Sequence, residues 1–150
     1  SFAARAGNTV THLLETEEQG SVHVLEPTVP LLTRQAVDSA SMKLRRSPVL
    51  VGPAPGGRVA YAGFTEPVNF EGAYDPPAVE SLVAHADAAG LDVDFAPAMY
   101  PVETAPDLAT VVSLVRARRQ AGRIHPTATA EWIDRHGVRS TDGGRSVTVE

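Results

Sequence analysis

Val49-Leu-Val-Gly-Pro-Ala-Pro-Gly-Gly-Arg-Val-Ala-Tyr-Ala-Gly63 is two apolar runs around a turn rich in glycine and proline. Pro48 to Val51 predicts one strand and Arg58 to Ala62 the next, with Gly52 to Gly57 as the tight turn between them. So short a connection makes the two strands antiparallel neighbours. The flanks have a different period. Before the hairpin, Val37, Ala40 and Leu44 recur at helical spacing behind Thr33, whose hydroxyl suits an N-cap. After it, Val79, Leu82, Val83 and Ala86 form a helical face behind Asp75-Pro76-Pro77, which reads as an Asx cap with proline in the first turn. Gly90 stops that helix and Leu91 to Phe95 reads as a strand. Strands and helices alternating around a hairpin predict a layered α/β fold with a mixed sheet.

The outer parts extend the pattern. Phe2 to Glu18 reads as a helix with Ala6, Val10, Leu13 and Leu14 on one face. Gly20 ends it, and Ser21 to Leu25 alternates like a short strand. Pro27 and Pro30 bracket a loop. Thr104 to Asp107 is a capped start with an acid at the third helical position, and Leu108, Val111, Val112 and Val115 follow as an apolar stripe. Thr127 to His136 reads as a short helix in which Trp132 and Ile133 cap the core or meet a second subunit. Val138 to Val149 reads as a hairpin around Thr-Asp-Gly-Gly. Residues 1–150 are read as a single α/β domain, with a core over 1–120 and a helix and hairpin over 121–150.

Composition removes several classes of function. Hydrophobic residues are 43% of the chain, enough for an ordinary core. There is no cysteine, so disulfides and thiolate metal sites are out. No apolar run approaches the ~18 residues of a membrane span. A net charge of −5 argues against a nucleic-acid surface. The two basic clusters, Lys43 to Arg46 and Arg116 to Arg119, fall at predicted helix ends, where cations meet the negative end of the macrodipole. A cytoplasmic location is the expectation. The chain opens on Ser1 and enters a helical pattern at once, which predicts that an N-terminal strand–helix portion precedes it in the whole protein.

Three stretches together resemble one family. His23-Val-Leu-Glu-Pro-Thr-Val-Pro-Leu-Leu-Thr33 is similar to its strand, Gly-Ser/Thr-Asp-x-Pro loop and following helix. Val49 to Gly63 is similar to its glycine-rich hairpin. Val68-Asn-Phe-Glu-Gly72, Gly90-Leu-Asp-Val93 and Val102-Glu-Thr-Ala-Pro-Asp-Leu108 are similar to its closing segment. The resemblance covers about residues 1–120. The family is the glycosyltransferase-like and nucleotidyltransferase group related to 2-phospho-L-lactate guanylyltransferase. It implies a three-layer α/β/α Rossmann-like fold of the GT-A type, Mg²⁺, and transfer of a nucleotidyl or glycosyl group with a nucleotide or nucleotide-sugar as ligand. The departures are specific. Aligned on Pro30, the family's loop aspartate falls at Thr28 and its glycine at Glu26. The aspartate of the glycine-rich turn falls at Pro55, and the closing acid is Glu103 in place of aspartate.

Glu26 and Glu103 stand at or just beyond the carboxyl ends of predicted strands, where open α/β sheets bind ligands, and are the candidate metal ligands. Carboxylates are needed because Mg²⁺ must be held against phosphate oxygens. Gly52, Gly56 and Gly57 are candidate ligand-binding positions, since glycine lets backbone N–H groups approach a phosphate. Arg58 is the cation beside them, able to pair with phosphate through two N–H groups. The same residues also have plain readings: surface carboxylates, a turn that needs positive φ, and an exposed strand arginine. Phe70 anchors the loop over 65–74 to the core, and Phe70, Glu71 and Tyr74 are the residues there that would line a pocket. His12, His23, His85, His125 and His136 include no helical i, i+4 pair, and no G-x-S-x-G elbow is present.

Two functions follow as expectations. One is an enzyme of the nucleotidyl- or glycosyl-transfer class. The other is a catalytically degraded relative that binds a ligand or a protein on the same scaffold, which the replaced aspartates favour. A homo-oligomer formed through the C-terminal hairpin is a further expectation.

Overall fold

The computed structural model describes residues 1–150, which divide into Ser1–Glu26 with Thr33–Met99, and Pro27–Leu32 with Tyr100–Glu150. In the first unit the elements run α1 (Phe2–Thr11), β1 (Val22–Leu25), α2 (Arg34–Lys43), β2 (Val49–Ala54), β3 (Arg58–Phe64), α3 (Ala78–Ala88) and β4 (Val93–Phe95). The sheet order is β1-β3-β2-β4. β3 is antiparallel to both β1 and β2, and β2 is parallel to β4. The sheet is therefore mixed, as the hairpin required.

The pleat sorts side chains to two faces. Val22, Val49, Val51, Ala62 and Phe64 form one buried cluster with Val10 of α1, Leu82 and Ala86 of α3, and Val68, Phe70 and Ala73 of the connecting loop. Full burial of a side chain such as Leu82 contributes about 1.5–3 kcal/mol. On the opposite face α2 covers the sheet. Leu44 Cδ1 lies 2.7 Å from where a Cβ on Gly63 would be, so a side chain at 63 would displace it. Three layers result: α1 and α3, the sheet, and α2.

His23, Tyr61 and two serines tie α2 to the sheet. The Tyr61 hydroxyl bonds His23 Nδ1. His23 Nε2 stands 3.3 Å from Ser21 Oγ and 3.5 Å from Ser41 Oγ, and the Ser41 hydroxyl donates to the Val37 carbonyl at 3.0 Å. One neutral tautomer satisfies all of them: Tyr61 donates to Nδ1, and Nε2–H donates to the serines. Burial raises the Tyr61 phenol to about 12, which keeps it a donor. His23 thus points into this face rather than out of the sheet.

The edge at β4 is blunted. The Phe95 N–H donates to Asp94 Oδ1 at 2.7 Å, and the Phe95 carbonyl accepts from Lys43 Nζ at 2.7 Å. Charged side chains thereby occupy backbone groups that another strand would use.

The second unit holds α4 (Ala105–Gln120), α5 (Thr127–Arg135), and the hairpin β5 (Arg139–Thr141) and β6 (Ser146–Thr148). Leu31, Val111, Val112, Val115, Ala130, Ile133 and Val138 are its core. Its longest helix starts on a complete capping box. Asp107 N–H donates to Thr104 Oγ1 at 3.3 Å, and Thr104 N–H donates to Asp107 Oδ2 at 3.0 Å.

Several expected boundaries move. The first helix is α-helical only to Thr11 and continues as a π-helical turn over His12–Thr16. β2 runs on through Gly52 to Ala54 with an irregularity at Gly52/Pro53, so the turn shrinks to Pro55–Gly57. Asp75 does not cap α3: the N-cap is Pro77, and the Asp75 carbonyl instead accepts from Ser81 Oγ at 2.7 Å. Trp132 is 43% exposed and packs on the His136 ring, while Ile133 alone of the pair is buried.

Burial holds the His23 imidazole below its ordinary value. Folding then disfavours its protonation, so this contribution is whole above the unfolded value of about 6.5 and is lost as pH falls through the folded value. Urea midpoints should therefore fall between about pH 6.5 and pH 5 in the wild type and fall less in His23→Gln. Equal slopes in the two proteins would contradict the buried neutral imidazole.

Candidate functional site

β1 and β2 both oppose β3, and β4 follows β2, so β1, β2 and β4 point the same way. Their carboxyl ends share one edge with the start of β3. That edge collects Glu26, the Pro55–Gly57 turn, Arg58 and Ala96. In open α/β sheets ligands bind at this edge.

Glu26 N–H donates to the Ala60 carbonyl at 2.9 Å, extending the β1–β3 ladder by one residue. The alternation then places Glu26 on the same face as Val22 and Val24, whereas the irregularity in the β2–β3 register keeps Val59 with Ala62 and Phe64 and turns Arg58, opposite Ala54, to the other face. The turn between β2 and β3 is a single 3₁₀ turn. Gly56 and Gly57 adopt φ of 76° and 71°, conformations that L side chains resist. Arg58 Nε donates to the Pro55 carbonyl at 2.8 Å and so closes the turn. A Cβ on Gly57 would stand 3.1 Å from Pro77 Cβ, which brings the segment before α3 against the turn.

That segment contributes Tyr74. Its hydroxyl is buried without a hydrogen-bond partner. Burial first, and the negative charge of Glu26 second, push the phenol well above its ordinary value. Phe2 stands edge-on to the Tyr74 ring, centroids 5.1 Å apart. Glu26 and Tyr74 are thus the charged and polar side chains of this edge on the α1–α3 face, and Arg58 stands at the same edge on the other face. Phe70 anchors the loop as expected, buried and edge-on to Phe64 at 5.2 Å.

Gly52 lies on the other face. A Cβ there would be 2.8 Å from Tyr61 Cβ and 3.3 Å from Met99 Cε, so close packing by itself accounts for glycine. Glu103 belongs to the second unit, where it is exposed and its N–H donates to Asp107 Oδ2 at 3.2 Å. The two positions aligned with aspartates are tied down through their backbones: the Thr28 carbonyl accepts from Val102 N–H at 2.8 Å, and the Pro55 carbonyl accepts from Arg58.

Two cavities open in the first unit. A cleft of about 590 Å³ runs between α1 and residues 68–72, with Asn8, Thr11, Asn69 and Glu71 among its polar groups. A smaller one of about 230 Å³ lies between α2 and residues 96–99, with Ser39 and Lys43 in its wall. Nowhere in the chain do three His, Asp or Glu side chains gather in a way that would hold a metal ion. Carboxylate oxygens suit Mg²⁺ in kind, but too few are assembled for an all-protein cage.

No protein-family model matches this sequence, and no curated protein matches it. Among solved structures the fold is similar to that of a protein from Desulfovibrio desulfuricans G20 ascribed to the nucleotide-diphospho-sugar transferases, with a TM-score of 0.70 and 19% identity. The fold is of the nucleotide-diphospho-sugar transferase type. The match covers 90% of this chain and 60% of the other, so this chain spans about 60% of that protein's length. No helix here is long and apolar enough to cross a membrane.

An aromatic residue in the loop was visible in the sequence. That its hydroxyl would be buried beside Glu26 was not, because the contact joins residues 48 apart in the numbering. Removing a buried hydroxyl that has no partner should cost nothing. Tyr74→Phe is therefore expected to match the wild type in urea unfolding or to exceed it by about 1–3 kcal/mol. A clear loss of stability would mean that the hydroxyl is hydrogen-bonded in solution.

Proposed function

We propose that the chain forms part of a protein that binds a nucleotide or nucleotide-sugar at the carboxyl edge of its sheet, and that binding rather than metal-dependent transfer is its task. The carrying observation is the state of the two aspartate positions. Thr28 and Pro55 stand there, each uses its carbonyl in a structural hydrogen bond, and no carboxylate cluster forms elsewhere. Metal-assisted phosphoryl chemistry needs that charge. Support for the ligand class comes from the fold type and from a short glycine turn with an arginine at its end. On this reading the chain is a degraded relative of the group that includes 2-phospho-L-lactate guanylyltransferase.

A second reading rests on Glu26. Mg²⁺ is commonly held by one or two carboxylates together with substrate phosphates. Glu26, or Glu103 in the second unit, would supply such a carboxylate, and the ion would neutralise phosphate charge during nucleotidyl or glycosyl transfer.

A thermal-shift panel separates the readings. ATP, GTP, CTP, UTP and the corresponding sugar conjugates are each tested with Mg²⁺ and with chelator, on this chain and on the whole protein. At a hundred times its dissociation constant a ligand adds about 2.7 kcal/mol, which raises the melting point of a domain this size by roughly 5 °C or more. The proposal expects a rise with one ligand that survives chelation and is lost in Arg58→Ala. A rise that requires Mg²⁺ and disappears in Glu26→Gln or Glu103→Ala supports the second reading. No rise in either protein contradicts nucleotide binding altogether.

A further inference from the structure

His85 sits in the last turn of α3 with each ring nitrogen against a backbone carbonyl. Nδ1 is 2.7 Å from the Ser81 oxygen, and Nε2 is 2.8 Å from the Glu71 oxygen. Carbonyl oxygens only accept. A neutral imidazole carries one N–H, so one of these contacts would set a nitrogen lone pair against an oxygen lone pair. The imidazolium, with two N–H donors, satisfies both.

The surroundings favour that cation. His85 is the basic residue of the last turn of α3, at the negative end of the helix dipole. Asp75 and the ring converge on Gly72, where a Cβ would stand 3.2 Å from Asp75 Oδ2 and 4.0 Å from His85 Cε1. The segment facing the ring, residues 68–77, carries the acids Glu71 and Asp75 and no basic side chain. One turn away stand Ser81, Leu82 and Ala88 of α3 and its C-cap Ala89, none charged. Among the strands that α3 packs against, Arg58 is engaged by the Pro55 carbonyl and Asp94 is paired with Lys43 at 3.4 Å.

We propose that His85 is a proton-operated latch. As the imidazolium it fastens residues 71–75 to α3 through the Glu71 carbonyl. When the proton leaves Nε2, the ring keeps its Nδ1–H bond to the Ser81 carbonyl within α3, the bond to the Glu71 carbonyl is lost, and the segment loosens. The segment carries Tyr74 beside Glu26, and its first residues wall the cleft against α1. The latch thus couples proton activity to the shape of that part of the sheet edge. The latch is fastened while both ring nitrogens carry protons and is released when Nε2 gives its proton up.

Uniformly ¹⁵N-labelled protein tests this between about pH 5 and pH 8, the range in which histidines titrate. Long-range ¹⁵N–¹H correlations report whether each ring nitrogen carries a proton, and hydrogen exchange reports the Ala73 and Asp75 amides. The latch predicts two ring N–H groups on His85 wherever those amides are protected. Raising the pH should strip one proton and speed their exchange about five- to tenfold beyond the intrinsic pH effect, the worth of one hydrogen bond. His85→Gln, which has no proton to lose, should abolish that dependence, and His23→Gln should retain it. A His85 ring with a single N–H while the segment stays protected overturns the latch. So does an unchanged pH dependence in His85→Gln. Should that variant not fold, the wild-type ring signals decide alone.

Discussion

The sheet of the first unit depends on β3. This strand lies between β1 and β2, runs against both, and is buried from Val59 to Phe64. Residues on one side of its pleat meet α1 and α3, and residues on the other meet α2. A change of register by one residue would exchange Ala62 and Phe64 with Tyr61 and Gly63, and neither face would then pack. Gly63 admits Leu44, and Gly52 admits Tyr61 and Met99, so the small residues mark where the layers come closest. The antiparallel placing of β3 also aligns β1, β2 and β4, and that alignment gathers Glu26, Arg58 and the glycine turn at one edge.

The order of elements was legible because it depends on local signals. Thr33 caps α2, Thr104 and Asp107 cap α4, and the glycine turn makes a hairpin, all through bonds between residues close in sequence. Where the reading slipped, a tertiary contact had won. Asp75 looks like a cap, but its carbonyl is held by Ser81 and its carboxylate lies toward Gly72. β2 continues through Gly52 and Pro53 because β3 pairs with it across the irregularity.

The site was legible only in part. Glu26 and Arg58 could be placed at a strand end and a strand start, and the sheet brings them to one edge, on opposite faces. Tyr74 could be placed in the loop that would line a pocket, but neither its burial beside Glu26 nor any role for His85 was readable from sequence. Their settings are made by backbone carbonyls and charges from elsewhere in the fold, and neither lies in a recognisable motif. Two half-buried histidines of the first unit illustrate the difference. His23 meets hydroxyls that adapt to a neutral ring, whereas His85 meets two carbonyls that cannot. Residue type is the same, and the partners differ.

Native-state hydrogen exchange along β3 tests the architecture most directly. If β3 is an inner strand, its amides, together with those of β2, should be the slowest in the first unit. They should exchange only through global unfolding, with an opening free energy equal to that from urea. The outer strands β1 and β4 should open at lower cost. Amides of β3 that exchange as fast as those of β1 would contradict the central placing of the strand, and with it the edge on which the proposed binding site stands.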